Sequence, residues 1–199
     1  LAQAKEVDAA LAVAQRQDTK ERLAKVKSLL ETFTSGVEDL GKAQKDSLAQ
    51  AEKRDAISGE WYRAFQTALN SSVFARIDNR DEVESLFYQA DAKVNALRAL
   101  VFRFGLTGDT KLVQTIGHAK TALGSLLKQT RDKSDEKKLH ELVDGLSAVI
   151  KRFLDVTDES VKTEALRADI IANRTVKSVE EAGSLMESQV GISQGNAKT

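Results

Sequence analysis

The sequence predicts an all-α fold, two stacked four-helix-bundle modules sharing two long helices, and three observations predict it. The first is that the 199 residues contain no proline. Proline removes a backbone donor, clashes inside helices and punctuates loops, so its absence favours long helices joined by short connections. The second is composition: charged residues make up 30% of the chain and aromatics 5%. That leaves a thin aliphatic core, better suited to a bundle than to a globular α/β domain. The third is the recurrence of apolar residues at three- and four-residue steps, the signature of an amphipathic helix.

The elements follow in order. Residues 2–16 read as a short helix, and Asp18-Thr19-Lys20-Glu21 then offers an N-cap and an acid in a first turn. From there Leu23, Val26, Leu30, Phe33, Val37, Leu40 and Gln44 form a seam that continues through Leu48, Ala51, Trp61, Phe65 and Leu69. This is one helix of about 50 residues, roughly 75 Å long. Asn70-Ser71-Ser72 and Ile77-Asp78-Asn79 flank a turn. A helix follows from about Arg80, with Val83, Phe87, Ala90, Val94, Leu97, Val101 and Phe104 on one side, and Gly105-Leu106-Thr107-Gly108-Asp109 ends it. Residues 110–130 form another helix. Lys133-Ser134-Asp135-Glu136 starts the last one, which carries Leu139, Leu142, Leu146, Val149, Phe153 and Val156 and runs to about residue 190. Leu23, Val26, Leu30 and Phe33 fall in register on Leu139, Leu142, Leu146 and Val149. An internal duplication and the easy self-matching of heptad-like sequences both account for that.

Helices half as long cannot cover two helices of such length, so the economical arrangement is two modules. Residues 46–159 form one. Residues 1–45 and 160–199 form the other, which has only three helical segments, and a helix preceding Leu1 is expected to complete it.

Several functions are disfavoured. Thirty basic residues balance thirty acidic ones, with no concentrated basic face for nucleic acid. No apolar run reaches the roughly 20 residues that span a bilayer. The absence of cysteine removes any disulfide framework and leaves both cytoplasm and periplasm open. His118 and His140 lack zinc-ligand neighbours, no phosphate loop or nucleophile motif is present, and nothing calls for a cofactor or an enzyme.

The most informative stretch is the second half of the last helix. Ser160, Glu164, Arg167, Ile171, Arg174, Ser178, Ala182 and Leu185 fall in one stripe. The inward line is thus apolar, then polar with two arginines, then apolar again. Burying guanidinium groups is costly without partners, and their forks suit carboxylates. One reading is a pocket where Arg167 and Arg174 clamp an anion, with Ser178 and Thr175 adding hydrogen bonds. The other is that the stretch turns outward, or that Glu164 pairs with Arg167.

Arg98-Ala-Leu-Val-Phe-Arg-Phe-Gly-Leu-Thr-Gly-Asp109 resembles the "R-x-x-x-F/Y-x-L-x-G-D" helix end of the helical bimodular sensor domains of methyl-accepting chemotaxis proteins. Glu141-Leu-Val-Asp-Gly-Leu-Ser-Ala-Val-Ile-Lys-Arg-Phe153, followed by a polar helix, is similar as well. The resemblance covers essentially the whole chain. It implies two stacked bundles, a periplasmic domain held between flanking transmembrane helices of an inner-membrane receptor, and a homodimer. The implied ligand is a small organic acid, such as a Krebs-cycle acid or acetate. Residues 1–45 and 160–199 become the membrane-proximal module and residues 46–159 the membrane-distal one. In the family a first helix, not seen here, adds arginines to the proximal site. Arg174 and Ser178 carry over first. The resemblance also places a ligand arginine in the helix of Arg98 and Arg103, with Tyr88, Tyr62 and Trp61 nearby; helical angle puts Arg98 at the core edge and points Arg103 and Tyr88 away. The sensor domain of a histidine kinase, or a ligand-free helical rod, are the alternatives.

Overall fold

The computed structural model describes residues 2–74 and 76–196, and every regular element among them is helical. The elements are α1 (Ala2–Val13), α2 (Gln17–Leu69), α3 (Arg80–Thr107), α4 (Lys111–Arg131), α5 (Lys137–Asp169), a π-helical segment (Ile170–Val176) and α6 (Lys177–Asn196). The fold is an all-α helical bundle.

Local chemistry sets the boundaries. α3 stops because Gly108 takes the left-handed conformation at φ 63°, which costs a glycine nothing, and returns its N–H to the Phe104 carbonyl. Asp109 then accepts the backbone N–H of Lys111 at 3.0 Å and opens α4. The Leu-Thr-Gly-Asp run is therefore a stop signal followed at once by a start signal. At the other end α1 finishes at Val13, three residues short of the predicted end, and Arg16 pairs with Asp18 across the connection.

The chain divides into two compact units, unit 1 comprising Leu1–Lys45 and Leu166–Thr199 and unit 2 comprising Asp46–Ala165. In unit 2 α3 packs on α4. The core there takes Trp61 and Phe65 from α2, Phe87, Leu97 and Phe104 from α3, Leu123 from α4, and Leu139, Leu146 and Phe153 from α5. Phe87 sits between the rings of Phe65 and Phe74, with centroids 6.3 and 5.5 Å away. Each such side chain contributes about 1.5–3 kcal/mol by leaving water.

One end of unit 2 is polar. Ser47, Gln50 and Arg54 on α2 hydrogen-bond Glu164, Thr163 and Ser160 on α5, each α2 residue donating. Burial pushes the Arg54 guanidinium below its ordinary pKa.

Unit 1 is thinner. Among the described residues its buried apolar side chains are Val7, Val26, Ala43, Ile170 and Ala182. Polar contacts at its edges include Lys27 to Asp8 at 2.6 Å and Arg22 to Ser188 at 3.1 Å.

The predicted seam of α2 fails in the middle. Val37 and Leu48 are 48% and 56% exposed, and Gln44 faces outward, while Gly36 and Ala43 are buried in their place. A strict repeat drifts around a straight helix, and small residues are what closely approaching backbones admit. The last helix also departs from the prediction: the π-helical segment interrupts it. The wider turn moves the register by about one residue, so Ile170 is buried and Ile171, predicted inward, is 41% exposed.

Candidate ligand-binding site

The π-helical segment carries Arg174 and Thr175 against α2, and Gly36 makes that approach possible. A Cβ on Gly36 would stand 3.2 Å from both the Arg174 Cβ and the Thr175 Cγ2. At this short range the Arg174 fork reaches back to α2. Its Nη1 donates to the Asp39 carboxylate at 2.9 Å and its Nη2 to the Ser35 hydroxyl at 2.8 Å.

Asp39 is shared. Lys42 donates to its other oxygen at 3.0 Å. The hydrogen bond from Arg174, then that from Lys42 and the Lys42 charge, hold the Asp39 pKa below its ordinary value. Arg174 and Asp39 are 32% and 38% exposed, so the pair is open to water and to competing ions.

Thr175, read from sequence as a ligand donor, spends its hydroxyl proton on the Ile171 carbonyl at 2.8 Å. Arg167 is half-buried near the start of the second segment of unit 1. Ser178 is buried at 3% exposure and lines a cavity of about 550 Å³ between α1, α2 and α6. Neither Arg174 nor Arg167 lines that cavity. The structure therefore places Arg174 and Thr175 together over Gly36 and sets Ser178 apart, in the neighbouring cavity.

In unit 2 Arg98 pairs with Asp55 at 3.0 Å and lines a pocket of about 390 Å³ with Asp55, Asp91, Asn95, Trp61 and Tyr62. Trp61 is core, 2% exposed, and its Nε1 donates to Asp91 at 2.8 Å. Two carboxylates and one guanidinium make this a poor place for a further carboxylate. Arg103 is exposed, and Tyr88, 53% exposed, lays its ring edge against Phe65 at 5.6 Å. Neither residue lines the Arg98 pocket, in keeping with the helical angle that pointed both away from the core.

Sequence reasoning missed Asp39 and Ser35, the partners of Arg174, and the Ser47, Gln50 and Arg54 layer. The available signal was the interruption of the apolar seam: Ser35-Gly36 and Asp39 fall where the seam should have been strongest, and polar residues fill it after Leu40. Among the described residues no group of acidic or histidine side chains could hold a metal ion, and no helix is long and apolar enough to cross a membrane.

No protein-family model matches the sequence, and no curated protein matches it either.

Proposed function

We propose that the chain is the extracytoplasmic ligand-binding sensor domain of a bacterial chemoreceptor. In this reading it binds small carboxylates, such as Krebs-cycle acids or acetate, and signals through its last helix. The observation that carries the reading is the hold of Arg174 on Asp39. A half-buried arginine fork on a π-helical turn, with a serine hydroxyl beside it, already binds a carboxylate in this structure. Arginine forks match that geometry, and π-helical turns recur at functional sites. A ligand carboxylate would replace Asp39 on Arg174, loosen the tie between α2 and the π-helical segment, and so bias the position of α6. The parent receptor would be a homodimer anchored in the inner membrane by flanking transmembrane helices, with this domain in the periplasm. The sensor domain of a histidine kinase would use the same site in the same way.

A second reading, a ligand-free helical rod, is favoured by the ion pairs of Arg98 and Arg174, each of which already has an internal carboxylate. A thermal-shift screen against malate, succinate, fumarate, citrate, acetate and neutral controls decides between them. At 100 times the dissociation constant a ligand stabilises by about 2.7 kcal/mol. Stabilisation by acids alone, lost in Arg174→Ala and strengthened in Asp39→Asn where the internal competitor is gone, is the expected result. No response to any acid in either the native chain or Asp39→Asn leaves the rod.

A further inference from the structure

We infer that unit 1 holds a second compartment, separate from Arg174: the cavity between α1, α2 and α6 takes a small uncharged molecule with an apolar body and one hydrogen-bonding group, which it presents to Ser178. This goes beyond the carboxylate reading and does not rest on it.

Three observations converge. The first is size: about 550 Å³ lies within the usual range for small-molecule sites. The second is the lining. Val26, Leu30, Phe33, Ala182 and Met186 give it apolar walls, and its only charged residue is Glu6, which is exposed. An anion in this cavity would meet a like charge and no cation, so the site that suits a carboxylate and the site that suits this cavity's occupant are different. Val179 and Met186 are both more than half exposed, which leaves a way in from solvent.

The third observation is Ser178. Among the described residues the buried hydroxyl residues are Ser58, Thr130, Thr157, Ser160 and Ser178. The first four each donate to the carbonyl four residues earlier: Arg54, Leu126, Phe153 and Val156. Ser178 makes no such bond among the described residues, and its oxygen is not one of the fully sealed, unpartnered side-chain atoms. Its fourth predecessor is Arg174, inside the π-helical segment. Ser178 is a buried residue whose hydroxyl lines an apolar cavity, where one hydrogen-bonding ligand could engage it.

The test is a ligand-observed NMR titration of the full chain with four probes of matched shape: cyclohexanol, methylcyclohexane, cyclohexanecarboxylate and cyclohexylammonium. Cyclohexanol is expected to bind best, about fivefold tighter than methylcyclohexane, the worth of one net hydrogen bond. Ser178→Ala is expected to erase that difference while leaving methylcyclohexane unchanged. Ala182→Phe, which fills the cavity, is expected to abolish binding of both. Should Ala182→Phe lose helical content by circular dichroism, Ser178→Ala still decides. The proposal is overturned if cyclohexanecarboxylate or cyclohexylammonium binds as well as cyclohexanol, or if Ser178→Ala leaves the preference for the alcohol intact. It is overturned too if no probe binds and Ala182→Phe instead converts a dimer to a monomer, which would make the cavity a face between two copies.

Discussion

The two units of this chain solve the problem of being helical in opposite ways. Unit 2 is filled: Phe87, Phe104, Phe153, Leu97, Leu123, Leu139 and Leu146 are all essentially inaccessible. In unit 1, among the described residues, Ile170 is the one large side chain buried to that degree. In place of a core, unit 1 has a glycine against a π-helical turn, a solvent-open ion pair and an apolar cavity. Densely packed regions resist change, whereas regions with few buried contacts open and shift at low free-energy cost. The contrast teaches where to look for function: unit 2 has the makings of a scaffold, and unit 1 of a part that responds.

The sharpest way to break that comparison is to damage each unit equally and see which suffers. Val94→Ala in unit 2 removes two methyl groups from a filled core, where Val94 is 1% exposed, and about 2–3 kcal/mol of stability is expected to go with it. Val26→Ala in unit 1 deletes two methyl groups beside an existing cavity, and about 1–2 kcal/mol is expected. Trp61 is the only tryptophan and lies in the unit 2 core, so its fluorescence in urea follows unit 2, while amide exchange over residues 170–186 follows unit 1. Equal losses in the two variants would mean that unit 1 is packed as tightly as unit 2 and that the contrast is false.

How much of this was legible in the sequence follows the same division. In unit 2 the apolar periodicity of α3, from Val83 to Phe104, names seven residues, and all seven are buried. Periodicity worked because apolar side chains, large at every position but Ala90, filled the inward line. In unit 1 several inward positions are held by Gly36, Ala43 and Ser178, which a search for large apolar residues passes over. The π-helical segment was not legible at all, since nothing in its local composition demands an i→i+5 turn. Arg174 was singled out from its place in the helical stripe, but its partners Asp39 and Ser35 lie 135 and 139 residues earlier. Only the tertiary fold could pair them. The resemblance asked for a ligand arginine on α3 without saying which, and helical angle, which set Arg98 at the core edge and pointed Arg103 and Tyr88 outward, agrees with the exposure of those two.

A gentler probe uses glycine. Gly41 has nothing within 4 Å of where a Cβ would sit, whereas at Gly36 two atoms of the π-helical segment stand at 3.2 Å. Both lie inside α2, where alanine is intrinsically favoured over glycine by about 0.5–1 kcal/mol. Gly41→Ala is expected to show that gain in full. Gly36→Ala is expected to show none of it, because the new methyl must push back the base of Arg174 rather than the end of a flexible chain. Urea midpoints read by circular dichroism give the comparison. Equal stabilisation in the two variants would show that the π-helical segment yields freely and that Gly36 is not what seats it.

The smallest effect expected is also the most specific to unit 1. The hydrogen bonds from Arg174 and Lys42 hold the Asp39 pKa below the ordinary value in the folded chain. For a carboxylate whose folded pKa is depressed, the stabilisation is fully present above the unfolded value of about 3.9 and is lost as the pH falls through the folded value. Acidification below about pH 4 is therefore expected to release the π-helical segment from α2. Amide exchange should quicken at residues 170–178 on that descent, and Asp39→Asn should abolish the pH-dependent part while Arg174→Ala removes the contact at every pH. Other carboxylates titrate in the same range, so the difference between the native chain and Asp39→Asn is the quantity to read. A difference that does not vary with pH would mean that Arg174 holds its place without Asp39, and that the tie between α2 and the π-helical segment rests on the packing over Gly36 alone.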